Sequence, residues 1–421
     1  MTTADARPGH TIPPLIRRNT VLLALSQSFT GAGMQFAYGL GPLMVVQLTG
    51  SPALAGMALA LIGASRFLIA YPIGQITDKF GRRPGIMMGL VLALIGAVVT
   101  GLSMWLESVA VWTVGLLLFA MGMSAAQQLR VAATDMYLPN RRAEALGYVS
   151  LGSLAGLLLS PLIVHVSEGV AKSWNIDPLG LPWLMVPVLI LPGMLMVQFV
   201  RPDPKEIGMN LAHYYPGYQP PPRAQGADVD FSWRDMMANP RVRLALVANA
   251  AAQGNMAVVM VLTSLVLHHH GHSLTEIAQS HVFHTVGMFG FTIPLGRLAG
   301  RYGNTKVMFP GVIVALFGAV LVAFTGDYWF VTLGTFLVGV GWAAANVAAT
   351  AEIADGFETH HRGRAIGVNE TISGGINLIA AVTTGPILAL GGLPATGIAA
   401  VLFALPPLVM VLPRLLRARA A

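Results

Sequence analysis

Apolar stretches of about 20 residues recur along almost the whole chain, and that length suits a helix crossing the ~30 Å hydrocarbon layer of a membrane. Twelve are predicted: residues 20–47, 53–76, 84–104, 109–133, 144–166 and 182–200, then 243–267, 276–299, 305–325, 329–354, 365–390 and 394–413. The runs are long and do not alternate with a period of two, so they predict helices and not barrel strands. A polar interval, 201–242, separates six from six, with short tails at 1–19 and 414–421. Pro202, Pro204 and the run Pro220-Pro221-Pro222 predict that this linker is an extended connection.

The two halves repeat with an offset near 220 residues. Arg66-Phe67, Pro72-Ile73-Gly74 and Lys79-Phe80-Gly81 align with Met288-Phe289, Pro294-Leu295-Gly296 and Arg301-Tyr302-Gly303. Asp135, Arg142 and Gly147 align with Asp355, Arg362 and Gly367. The expected fold class is therefore an all-α membrane protein with twelve transmembrane helices in two pseudo-symmetric six-helix bundles, 20–200 and 243–413. Secondary transporters are commonly built this way, with the site between the repeats.

Composition changes the picture only where it excludes. With 55% hydrophobic and 10% charged residues, the chain is polytopic and not a soluble enzyme. All but Arg66, Arg130 and Lys172 of its 25 lysines and arginines fall toward one side, which predicts that both termini are cytoplasmic. The net charge of +7 then records orientation in a lipid bilayer, and no nucleic-acid partner is expected. No convincing cleavage site follows Leu15-Ile16-Arg17-Arg18, so the first stretch reads as an uncleaved anchor. The absence of cysteine excludes disulfides, thiolate metal sites and redox thiols. There is no Gly-x-x-x-x-Gly-Lys phosphate loop and no hydrolase or oxidoreductase constellation, so neither an enzyme nor a permanently bound cofactor is expected.

The loop Gly74-Gln-Ile-Thr-Asp-Lys-Phe-Gly-Arg-Arg-Pro84 resembles the signature loop of the major facilitator superfamily. The resemblance, together with twelve helices and the repeat, covers the whole chain. It implies a gate on the cytoplasmic side, in which Asp78 faces the start of helix 11 and an arginine of the pair Arg82 and Arg83 meets Asp135. The alternative is a solvated loop that only sets orientation. The second copy has Gly300 in place of Asp78 and Asn304-Thr305 in place of Arg82-Arg83, so a one-sided latch is expected.

Two pairs of soft ligands stand out: Met256 and Met260 in helix 7, and His284 and Met288 in helix 8. Residues i and i+4 share a helix face. Counted from the helix ends at ~1.5 Å per residue, Met260 and His284 lie ~10 and ~12 Å deep, and Met256 and Met288 ~16 and ~18 Å. Thioether and neutral imidazole suit Cu(I), whereas a methionine pair alone is ordinary core filler. A transmembrane histidine needs a partner or a wet cavity, and a core histidine bonded across helices remains the alternative for His284.

These spacings are similar to the helix 7 and helix 8 motifs of CcoA-like copper importers, a branch of the same superfamily that supplies copper for cbb-type cytochrome oxidase assembly. The resemblance implies that Met256, Met260, His284 and Met288 hold copper as transported substrate in a bacterial inner membrane, with copper chaperones as partners. Riboflavin-associated members of the branch lack these ligands. His281 continues the stripe of His284 and Met288, and His268, His269, His270 and His272 would either collect metal above it or form a polar interfacial cap. Met34 aligns with Met256, so it either faces the cavity or packs. Arg66 aligns with Met288; such a cation opposes a naked metal ion unless an acid or a chelate accompanies it. Asp135, Glu352, Asp355 and Glu370 would serve an inner gate, carry a proton, or merely solvate helix ends. The competing expectations are a carrier of an organic solute, a riboflavin-like vitamin importer or a drug exporter using Gln27, Gln35, Asn249 and Gln253, and a metal sensor or assembly scaffold that transports nothing.

Overall fold

The computed structural model describes residues 11–31, 33–138, 141–156, 159–218, 233–357 and 362–420, and these form helices and connecting turns without a strand. Pieces that continue one another give twelve passes. The first comprises Pro14–Gly31, Gly33–Gly39 and Gly41–Thr49; then come Met57–Phe80, Arg82–Trp105, Val109–Ala126 with Gln128–Asp135, Arg142–Gly156 with Leu159–Trp174, and Leu181–Gln198. The second half holds Pro240–His269, Leu274–Gly290 with Thr292–Tyr302, Asn304–Phe324 and Tyr328–Asp355. Its last two passes lie in Arg362–Ala420, which reverses at Gly392, where φ is 68° and ψ is −166°. Glycine reaches that conformation without the clash a Cβ would bring.

Seven of these helices are individually long and apolar enough to cross a membrane. The first and eighth passes are each divided at a proline. Pro42 lacks the N–H needed to carry the helix through Leu40, and Pro294 does the same near Phe291. Below the second break the Thr292 hydroxyl donates to the Met288 carbonyl at 2.9 Å, satisfying a group the break would orphan. The seventh pass is enclosed: 94% of its apolar window is buried, against 50% for Arg82–Trp105, so it stands at the centre and not against lipid.

The linker differs from the expected extended connection. Its described ends are short helices, Pro204–Met209, Leu211–Tyr214 and Trp233–Ala238. Asp203 caps the first with its side chain and Pro204 follows at the first helical position, a start signal that outweighs the proline count. The Asp203 carboxylate also accepts from the backbone N–H groups of Arg82 and Arg83 at 3.0 and 2.9 Å. The Tyr215 hydroxyl donates to the Met136 carbonyl at 3.1 Å. Pro220-Pro221-Pro222 lie outside the described residues.

An even number of passes places both ends of the described chain on one side. The hydrogen bonds joining the two halves lie from the mid-depth toward the opposite, distal side. Ser273 and Glu276 form a capping box on the eighth pass. Glu168 of the fifth pass accepts from the next two N–H groups, Leu274 at 2.8 Å and Thr275 at 3.2 Å, and from the Thr275 hydroxyl. The Ser264 hydroxyl donates to the Tyr38 carbonyl at 3.5 Å, and the Gln35 amide donates to Thr285 Oγ1 at 2.7 Å. These contacts clamp the two halves together on the distal side.

Glu168→Gln removes the charge and one acceptor oxygen, a loss of about 1 kcal/mol that shifts the clamped population roughly fivefold. Because the chain has no cysteine, a single Tyr38→Cys reports the change. Its thiol-labelling rate from the distal side should rise in the Glu168→Gln background.

Candidate functional site

A cavity of about 550 Å³ lies between the halves. Met256, Met260, His284 and Met288 all line it, so the two ligand pairs of adjacent passes meet in one space. Met34 and Arg66 line it from the first half. Met256, Met260 and His284 are buried, and Met288 is half-buried.

His284 is oriented by a partner that is invisible in its own helix. Its Nδ1 lies 2.8 Å from the Thr335 carbonyl of the tenth pass. A carbonyl only accepts, so Nδ1 carries the proton, and in the neutral ring Nε2 keeps its lone pair. Nε2 is buried and has no hydrogen-bond partner. The tenth pass comes close enough for this because Gly339 has no side chain: a Cβ there would stand 2.2 Å from the His284 carbonyl oxygen. Gly287 works likewise, 2.5 Å from the Phe336 carbonyl. An imidazole fixed through one nitrogen with the other bare is the usual condition of a metal-binding histidine.

His281 does not join the stripe. Its Nδ1 donates to the Ile277 carbonyl at 2.9 Å, and Nε2 meets Ser264 Oγ at 3.4 Å, so both nitrogens are engaged away from the cavity. It sits in the distal contact beside Gly39, whose built Cβ would lie 3.9 Å from the ring. The distal histidines do not converge either. His270 Nδ1 donates to the Val266 carbonyl at 2.8 Å, His272 Nδ1 meets Glu276 at 3.4 Å, and His268 and His269 are exposed. Among the described residues no group of three His, Asp or Glu is placed to hold a metal. These four residues cap the end of the seventh pass, whose turn sends successive side chains in different directions.

The latch residues divide. Arg82 Nε donates to Asp135 at 2.7 Å within the first half. In the second half Asn304 Nδ2 donates to Glu352 at 2.9 Å, so an amide stands where the first half has a cation. The Asp78 side chain lies outside the described residues, and Arg83 engages Asp203 through its backbone only in the contacts above. Asn249 is fully buried and ties passes together through Asn369, Ser373 and Asn346 at 3.2, 3.0 and 3.1 Å; it does not line the cavity. Gln27, Gln35 and Gln253 do, as do Arg130, Trp342 and Glu370. Arg130 and Trp342 carried no distinctive spacing in the sequence.

Two helical halves around a central cavity, clamped distally, have the architecture of an alternating-access secondary transporter. The chain matches the Major Facilitator Superfamily over residues 23–240 and 244–420 and belongs to that family. It is 25% identical over 377 residues, 88% of its length and 89% of the other's, to the riboflavin transporter RfnT of Brucella anthropi. To the uncharacterized MFS-type transporter YddS of Bacillus subtilis it is 26% identical, covering 85% and 82% of the two chains. The inward-open xylose transporter XylE of E. coli superposes with a TM-score of 0.68 at 15% identity, over 94% and 96% of the two chains. The nucleoside transporter NupG gives 0.68 at 11%, over 95% and 98%. These structures speak to the fold alone. The protein is accordingly membrane-spanning.

Gly339→Val forces the tenth pass away from the eighth, an overpacking cost of about 1–3 kcal/mol. Thermal unfolding of the purified protein should move down, and cargo affinity should fall about tenfold or more as His284 loses its Thr335 partner.

Proposed function

We propose that this transporter imports copper, held during passage by Met256, Met260, His284 and Met288. The observation that carries the reading is the bare, buried Nε2 of His284 in a cavity that three methionine thioethers also line. Thioether and neutral imidazole favour Cu(I), and as neutral ligands they bind weakly enough to release it. With the termini cytoplasmic, as the basic residues argue, the distal clamp closes the periplasmic side and the cavity delivers inward. The resemblance to CcoA-like importers extends the proposal to a bacterial inner membrane, to copper chaperones and to the supply of cbb-type cytochrome oxidase. The gating pair on the cytoplasmic side would be Arg82 and Asp135, with Asp78 facing the eleventh pass.

A second reading has its own support. Taken alone, the comparisons favour an organic solute, because a relative of similar length is named a riboflavin transporter and no copper carrier is among the relatives described above. A cavity of about 550 Å³ with Gln27, Gln35 and Gln253 on its wall is of a size that takes such a ligand. The soft-ligand set is what argues against it.

Radiocopper uptake by cells expressing Met260→Ala or His284→Ala should fall to the level of cells without the protein. Acidification should weaken Cu(I) binding, since a proton on Nε2 takes the lone pair the metal needs. Wild-type copper uptake in both mutants, combined with saturable riboflavin uptake, would transfer the assignment to the organic solute.

A further inference from the structure

The cavity holds two guanidinium groups that, among the described residues, no carboxylate neutralises. Arg66 projects from the second pass and Arg130 from the fourth, and both line the space that holds the soft ligands. Among the described residues Arg66 has neither hydrogen bond nor ion pair, and Arg130 Nε is buried without an acceptor. The Arg130 guanidinium lies 5.6 Å from the ring centroid of Phe289, the residue after Met288, so it reaches across from the first half to the metal-ligand stripe of the second. Among the described residues Glu370 is the one acidic side chain lining the cavity, and it is paired with neither arginine.

Where an arginine serves the scaffold, this chain supplies its counter-ion: Arg82 sits 2.7 Å from Asp135. An uncompensated cation inside a membrane protein is costly and is kept where it meets a pathway or a ligand. Trp342 Nε1 of the tenth pass adds a further buried donor without an acceptor in the same cavity. Guanidinium and indole N–H groups only donate. Their complement is an acceptor-rich anion, and the guanidinium fork matches carboxylate or phosphate oxygens.

We propose that Arg66 and Arg130 form an anion subsite for carboxylate or phosphate oxygens of the cargo, so that metal travels as a complex with an anionic small molecule. The metal half of this statement rests on the copper reading above; the anion half stands without it. Because Arg130 lies over Phe289, the residue after Met288, an anion bound there lies near the metal ligands and offsets the repulsion between a bare cation and the two arginines.

The test is equilibrium binding of radiolabelled citrate and of inorganic phosphate to purified full-length protein in lipid nanodiscs, with Cu(I) binding measured in parallel by chelator competition. The two probes distinguish a carboxylate from a phosphate source. At least one should bind the wild type at millimolar concentration or tighter and weaken about tenfold or more in Arg66→Gln and Arg130→Gln. In Met260→Ala/His284→Ala, Cu(I) binding should be lost and anion binding kept. A second measurement uses only wild-type protein: the bound anion should protect Arg66 and Arg130 from phenylglyoxal, read by peptide mass spectrometry. Binding of neither probe, equal binding by the glutamine variants, or no protection overturns the subsite. Anion binding by a wild type that does not bind Cu(I) sinks the copper reading and leaves the subsite standing, as that of an organic-anion carrier.

Discussion

Hydrocarbon offers the backbone no water, and every other feature follows from satisfying peptide groups inside that constraint. An unpaired N–H or C=O there costs several kcal/mol, so the described passes are helical. Irregular backbone is then confined to places where protein or cavity can repair it. The first pass breaks at Leu40, and the eighth breaks at Phe291, three residues after Met288. Tyr38, two residues before the first break, and Met288 both line the cavity. The Thr292 hydroxyl repairs one orphaned carbonyl locally. Glu168 repairs two orphaned N–H groups at the start of the eighth pass from the opposite half, which turns a helix cap into a clamp between halves. A hydrogen bond demanded by folding thereby becomes one that has to break for access to alternate.

The same constraint explains why the halves are unequal. The second half packs its eighth and tenth passes at glycine-limited distance, and this lets a backbone carbonyl orient His284 without a second polar side chain. The first half uses the equivalent level for Arg66. Repeated scaffolds thus carry different chemistry on matched frames: soft, neutral ligands on one wall and cations on the other.

Much of this was legible in the sequence, and what was not has a common cause. The period and length of the apolar runs predicted the passes, and depth counted along two helices correctly brought Met256, Met260, His284 and Met288 to one cavity. Such arithmetic works because it uses only neighbours joined by a short turn. It failed for His281, which shares the helix face but lies at the distal contact, where Ile277 and Ser264 occupy its nitrogens. It failed for the distal histidines, whose clustering in sequence dissolves around a helix end. The Thr335 carbonyl, the Glu168 clamp and the approach of Arg130 to Phe289 all join elements far apart in the chain. No local spacing encodes them. The linker was misread for the opposite reason: a strong local signal, Asp203 followed by Pro204, was outweighed by counting prolines.

The electrostatics of the cavity bear on which cargo it admits. A unit cation ~10 Å from a guanidinium, at an effective dielectric of about 20, meets roughly 1.7 kcal/mol of repulsion, and a second arginine adds a comparable amount. Each 1.4 kcal/mol is a factor of ten in affinity, so two unpaired arginines would cost a bare ion about two orders of magnitude. Neutral thioether and imidazole ligands supply no charge to offset this. Among the described residues Glu370 forms no ion pair with either arginine. A cargo that brings its own negative charge removes the penalty, whether the charge belongs to a metal complex or to an organic anion. On the copper proposal, the cavity would select against free cations in general before its soft ligands select among metals, an ordering that would keep abundant hard ions out of a site built from weak donors.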